Sequence, residues 1–337
     1  MKMKQMLSML KLMTTPGLFK VMKDWKSVVR FHFIHAAMDS GLLQALETPK
    51  SYSDLAQLLN VSNEELLLAL LDVGLSIGEL SLKNNTYAIK GKVSNFVIRE
   101  KGDSLGALIQ ANVTYYNSAY RNIADRMQGG ELGDDLGQIG DLVARVSKIQ
   151  EPFIKHFIAD AVSGLHTEKM LEIGCGSGTF MKAAYEANNE VSGIGMDCDE
   201  DVVKQAESNI ARWGLSDRFK VVLGDIKEYD IQGDGPYDYI SLYNILYYFT
   251  PDEQVVLLEK LRANLSNAGR LAIVNTTQSN GKDAMAANLN LVNCSLKGVY
   301  AVPHLQHIQK ILSETGFKQV KTTQLLPGST VYCILAE

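Results

Sequence analysis

The chain has 337 residues, 46% of them hydrophobic and 21% charged, with a formal net charge of -5. That content supports a sizeable core and about two domains, and the acidic balance argues against a broad cationic surface for nucleic acid. Four scattered cysteines, Cys175, Cys198, Cys294 and Cys333, form no metal-spaced set and read as free thiols in a reducing, cytoplasmic setting; no run reaches the ~20 apolar residues of a membrane span.

The first thirty residues set Lys2, Lys4, Lys11, Lys20, Lys23, Lys26 and Arg30 against a single acid, Asp24, among Met, Leu, Phe and Trp. Lys11 interrupts the apolar run and no small-residue cleavage site follows, which disfavours a signal peptide. The arm is expected to pack on a partner subunit, with contact to a membrane surface as the alternative. From Val28 to Arg99 the pattern gives three helical segments and a hairpin, a winged helix. Ser62 is the expected N-cap of the third helix, with Glu65 completing a capping box, and Asn84-Asn85 marks the hairpin turn. Residues 50–100 carry five basic and six acidic side chains, and "NEELLLALLDVGL" has no residue suited to reading base edges. This unit is therefore expected to dimerise and not to bind DNA.

Residues 101–165 read as a helical linker contributing to an acceptor pocket, for which Tyr115, Tyr116, Phe153 and Phe157 are the candidate linings, although such aromatics also serve as plain core. After Thr167 short apolar runs alternate with helices. The expectation is an α/β fold: a seven-stranded Rossmann-like sheet over 166–337, behind an arm and helical dimerisation domain over 1–100. Its last two strands, joined at Pro327-Gly328, have too short a connection to be parallel.

The first strand-to-helix turn of that sheet is "LEIGCGSGTF", with Gly174, Gly176 and Gly178 at alternate positions. Such a turn forms the floor of the ligand crevice in an open parallel sheet. A triphosphate loop needs Gly-Lys-Ser or Gly-Lys-Thr, and the lysine is missing. Glu172 beside the turn opposes a pyrophosphate and suits a cation. Asp197 closes the second strand, where a carboxylate can accept from ribose hydroxyls, and Asp225 closes the third, where one can accept from an adenine amine. An adenosyl sulfonium with an amine, S-adenosylmethionine, matches this set of groups.

With "GIGMDCDEDVV", "VVLGDI" and "LSNAGRLAIVN", residues 168–337 resemble the class I S-adenosylmethionine-dependent methyltransferases. The whole chain resembles the homodimeric small-molecule O-methyltransferases of secondary metabolism. That resemblance implies cofactor contacts at Glu172, Gly174, Gly176, Gly178, Asp197, Asp225, Ile226 and Asn244, and a partner subunit that helps close the acceptor pocket. Those enzymes carry Leu-His-Asp-Trp after the fourth strand, the histidine serving as base; this chain has "LYYF", Leu246 to Phe249. Tyr247 stands at the base position, and a phenol of ordinary pKa, about 10, is a poor base near neutrality. The catalytic candidates are Tyr247, His304 and His307. Transfer to carbon or nitrogen, and a non-catalytic regulator that binds the cofactor, are the other readings.

Overall fold

The computed structural model describes residues 17–134, 136–164 and 169–337. They divide into two compact units, the first reaching Ser118 and taking in 139–149, the second formed by 119–138 and the chain from Gln150 onward. The stretch expected to act as one linker is thus shared between them. The first sixteen residues of the basic arm lie outside the described residues.

In the first unit, the helix Leu18–Asp39 is followed by strand β1 (Lys50–Ser51), helices Tyr52–Leu58 and Glu64–Ile77, and the hairpin of β2 (Leu80–Lys83) and β3 (Thr86–Ile89). The asparagine pair takes left-handed conformations, φ 48° at Asn84 and 60° at Asn85, as a tight hairpin turn requires. Two details differ from expectation. The cap of Glu64–Ile77 is Asn63, whose side chain accepts from Leu66 N at 3.1 Å; an Asx side chain one residue nearer the helix outcompetes Ser62. Capping boxes form instead at Ser51 with Asp54 and at Thr250 with Glu253. A third strand, β1, pairs antiparallel with β3; at two residues it is too short to show an alternation. The core gathers Phe33, Ile34, Leu42, Leu55, Leu71 and Leu80. Tyr115 and Tyr116 lie in a π-helical turn, Asn112–Tyr116.

The second unit is built on seven strands: β4 (Lys169–Ile173), β5 (Ser192–Asp197), β6 (Phe219–Leu223), β7 (Tyr237–Tyr243), β8 (Leu265–Thr276), β9 (Val320–Gln324) and β10 (Val331–Ala336). Their order is β6-β5-β4-β7-β8-β10-β9. β10 runs antiparallel to both neighbours and the other pairings are parallel. Alternation along β4 explains the layering. Leu171 and Ile173 face a core shared with Leu257, Leu258 and Leu261 of helix Pro251–Ala263 and Ile308, Ile311 and Leu312 of helix Leu305–Glu314. Met170 faces the opposite core, with Ile158, Met181, Ala184, Val203 and Ile210. Strands apolar on both faces need helices on both faces.

The chain winds outward from β4 to β6, then returns to place β7 on the other side of β4. Strand order reverses between β4 and β7, which opens a crevice at their carboxyl ends.

Candidate active site

Two turns flank the crevice. After β4, Gly174, Gly176 and Gly178 all adopt left-handed φ, 69°, 53° and 77°. A Cβ on Gly174 would lie 2.8 Å from Ile245 Cγ2, whereas one on Gly176 would meet nothing within 4 Å. Gly174 is small so that the two turns can touch; Gly176 leaves a bare stretch of main chain open to a ligand. After β7, Asn244 is itself left-handed, φ 55°. Its Oδ1 accepts from Thr276 N at 3.1 Å and its Nδ2 donates to Gln150 Oε1 at 3.2 Å. The turn "LYYF" follows as a 3-10 segment, Leu246–Tyr248.

The three candidate carboxylates sit on three neighbouring strands in different environments. Asp225, past the end of β6, is exposed and accepts from Lys227 N at 2.9 Å; Ile226 beside it is buried. Asp197 closes β5, with Oδ2 accepting from Gly176 N at 3.0 Å and Oδ1 from Asp199 N at 3.2 Å. It ties the glycine turn to its own strand and keeps further lone pairs for donors from outside. Glu172, on β4, is 1% exposed, and neither carboxylate oxygen has a hydrogen-bond partner among the described residues. Burial, with Asp197 nearby, pushes its pKa well above the ordinary carboxylate range. An unpartnered buried carboxyl favours its neutral form or a cation that comes to it.

This yields a pH prediction. An acid with a raised folded pKa binds its proton more tightly in the native state, so stability falls as pH rises from the unfolded value toward the folded one. Glu172→Gln is expected to remove that decline, making the unliganded variant the more stable protein at pH ~8 but not at pH ~5. Urea midpoints at both pH values check this; equal differences at the two would rule it out.

The other candidates differ in their surroundings. Tyr247 is buried, and its carbonyl accepts from Tyr300 N at 2.7 Å. Its ring lies 5.0 Å from that of Tyr248, whose hydroxyl is pushed up in pKa by burial and by the negative fields of Cys198 and Asp197. His304 is exposed and caps helix Leu305–Glu314 without a side-chain bond. His307 Nε2 pairs with Gln254 Oε1 at 3.1 Å. Tyr115 and Tyr116 meet edge to face at 4.4 Å in the first unit, Tyr115 against Ala107, Ala111 and Leu142. In the second unit Phe157 packs on the core and Phe153 is exposed. Cys175, within the glycine turn, is buried, and burial drives its thiol pKa upward, which makes it inert.

Sequence reasoning missed Gln254 and Asn275, two buried amides behind the Tyr247 turn. Gln254 had a signal: with Leu257, Leu258 and Leu261 it occupies the i, i+3, i+4, i+7 stripe of its helix, a polar residue on a buried face. Asn275 lies inside an apolar strand run and carried no comparable mark.

Residues 170–269 match the profile of the methyltransferase domain family. The chain is 23% identical over 300 residues to the S-adenosyl-L-methionine-dependent methyl transferase PigF of a Serratia species, 81% of this chain and 82% of that protein. It is 28% identical over 169 residues to O-methyltransferase SfmM3 of Streptomyces lavendulae, about half of each chain, 48% and 49%. Among solved structures, mitomycin 7-O-methyltransferase MmcR superposes with a TM-score of 0.80 at 17% identity, over 97% of this chain and 99% of that one. Human N-acetylserotonin methyltransferase, solved with S-adenosylmethionine, gives 0.73 at 14%, over 96% and 98%.

Residues 170–269, within the seven-stranded sheet, match a methyltransferase domain, and the chain as a whole has the fold of the small-molecule O-methyltransferases. The class these likenesses define is that of the S-adenosylmethionine-dependent methyltransferases, which the chain matches in sequence over residues 170–269 and resembles in fold along nearly its whole length.

Proposed function

We propose that the chain transfers a methyl group from S-adenosylmethionine to a small-molecule acceptor of secondary metabolism, on an oxygen that is already ionised or readily ionised. The observation that carries this reading is the bare main chain at Gly176, bounded by the carboxylates of Glu172 and Asp197 on adjacent strands. The residues fit the cofactor: the orphaned, buried oxygens of Glu172 suit its cationic end, Asp197 has lone pairs to spare for ribose hydroxyls, and Asp225 with Ile226 offers an acceptor and an apolar surface to adenine. Gly174, Gly178 and Asn244 shape the walls.

When bound, the cofactor supplies an electrophilic methyl carbon on a positive sulfur. The chain's part is alignment, because an in-line displacement gains most from holding the nucleophile at near-attack distance. Tyr247 is proposed to orient the acceptor, and the acceptor's own acidity to spare the enzyme a base. His304 and His307 are then auxiliary, and Phe153 and Phe157 stay proposed acceptor contacts of the second unit. An amine or acidic carbon as acceptor is the second reading, favoured by the tyrosine that replaces the usual histidine.

A homodimer formed through the first unit is proposed from its exposed apolar side chains: Phe19, Val21, Met22, Trp25 and Val28 on helix Leu18–Asp39, and Leu66, Leu68 and Val73 on helix Glu64–Ile77. A cytoplasmic location is proposed from the free cysteines. No described helix is long and apolar enough to cross a membrane.

Isotope transfer from labelled S-adenosylmethionine to a panel of phenols, amines and β-dicarbonyl compounds tests the activity; no transfer and no calorimetric heat with S-adenosylhomocysteine would end the proposal. On the best acceptor, Tyr247→Phe is expected to keep its rate within about tenfold, whereas loss of a true general base costs about 100- to 10,000-fold. A loss of the larger size with cofactor affinity intact would make Tyr247 the base.

A further inference from the structure

The turn that carries Tyr247 is held from behind by side chains to which the proposed chemistry gives no task. Gln254 sits in the first turn of helix Pro251–Ala263 and is 2% exposed. Its Nε2 donates to the carbonyls of Leu246, at 2.9 Å, and Phe249, at 3.2 Å. Both amide hydrogens are therefore spent on the main chain of the turn. Oε1 can only accept, and its partner is His307 Nε2 at 3.1 Å. Turning the amide over would aim its oxygen at two carbonyls, so the network fixes its orientation, and His307 Nε2 must carry a hydrogen. That nitrogen is unable to take a proton from an acceptor.

The helix start does not need this arrangement. Its capping box, Thr250 with Glu253, already satisfies the terminal donors at 3.2 and 2.8 Å. An apolar residue at position 254 would continue the buried stripe without the cost of burying an amide. The amide instead gives the turn a fixed backbone, reinforced by Asn275 Oδ1, which accepts from Leu246 N at 3.4 Å.

We infer that Gln254 and His307 are positioning residues. Gln254 clamps the turn Leu246–Phe249, and His307, reaching across from helix Leu305–Glu314, holds Gln254 in its bonding pose. His307 acts through Gln254 and makes no contact with the acceptor's proton. The inference rests on the proposed function in one respect, that this turn borders the cofactor.

Hydrogen-exchange mass spectrometry of the turn peptide, calorimetry with S-adenosylhomocysteine and thermal melting test it together on the full chain. His307→Leu and Gln254→Met are expected to speed exchange of the turn amides about tenfold and to weaken S-adenosylhomocysteine about fivefold, the scale of one hydrogen bond. His307→Gln, which keeps an N–H donor, is expected to restore both to within about twofold of wild type. His307 is half-buried, so its variants decide the matter even if Gln254→Met does not fold. A lower melting temperature with unchanged turn exchange, or a failure of His307→Gln to restore it, overturns the inference. If wild type does not bind S-adenosylhomocysteine the functional proposal fails, and the exchange data still judge the clamp.

Discussion

Replacing Asp197 by alanine is expected to weaken S-adenosylhomocysteine binding on the order of 10- to 100-fold, a loss of about 1.5–3 kcal/mol, as is usual for hydrogen bonds to a charged group. Two losses combine. The carboxylate is the proposed acceptor for ribose hydroxyls, and it also holds Gly176 N and Asp199 N at 3.0 and 3.2 Å. Without it Gly176 loses its bond to β5, although Gly174 N and Cys175 N still donate to Met196 O at 2.8 and 2.9 Å, so the floor relaxes at Gly176 as well as losing a contact. Asp197→Asn separates the effects, because its one remaining oxygen can serve only one side of the carboxylate's present bonding. Its affinity is expected to fall between wild type and alanine. Calorimetry at fixed pH checks both, and an alanine variant that binds like wild type would remove Asp197 from the cofactor site.

Glu79→Ala is expected to destabilise the first unit by about 1.5–3 kcal/mol, the scale of hydrogen bonds to a charged group, because the Arg30 left behind is partly exposed to water. Glu79 is 4% exposed. Its Oε1 accepts from Arg30 Nε at 2.8 Å and its Oε2 from Ser94 Oγ at 2.7 Å. Its carbonyl accepts from Lys90 N at 2.8 Å and Gly91 N at 2.9 Å. One residue thereby joins helix Leu18–Asp39, the hairpin and helix Lys92–Val97. Urea denaturation followed by far-ultraviolet circular dichroism measures the loss. Glu79→Gln, which retains an acceptor for Ser94, should lose less; an alanine variant within about 1 kcal/mol of wild type would mean that water replaces the carboxylate.

Much of the second unit was legible because its signals are local. β4 to β8 and the two closing strands follow from apolar runs between helical segments, and the short Pro327-Gly328 connection forces an antiparallel pair. The glycine turn and the acids at Glu172, Asp197 and Asp225 lie within or just past their strands, so their positions at strand ends could be read directly. Their different environments could not. Glu172 and Asp197 are alike as letters, yet one is enclosed without a partner and the other is bonded to two main-chain amides, because solvation depends on what the neighbouring strands and turns cover.

The same division runs through the whole chain. By itself the sequence determined the parallel sheet with its antiparallel end, the Asn84-Asn85 hairpin, and a first strand-to-helix turn that lacks the lysine of a triphosphate loop. These depend on periodicity and on the backbone preferences of glycine, asparagine and proline, which act over a few residues. Only the tertiary structure decided that Arg30 meets Glu79, that Gly174 makes room for Ile245, and that His307 serves Gln254. Those pairings join residues 49, 71 and 53 positions apart in the chain, and at such separations side-chain chemistry says what a residue can bond to while chain topology selects its partner.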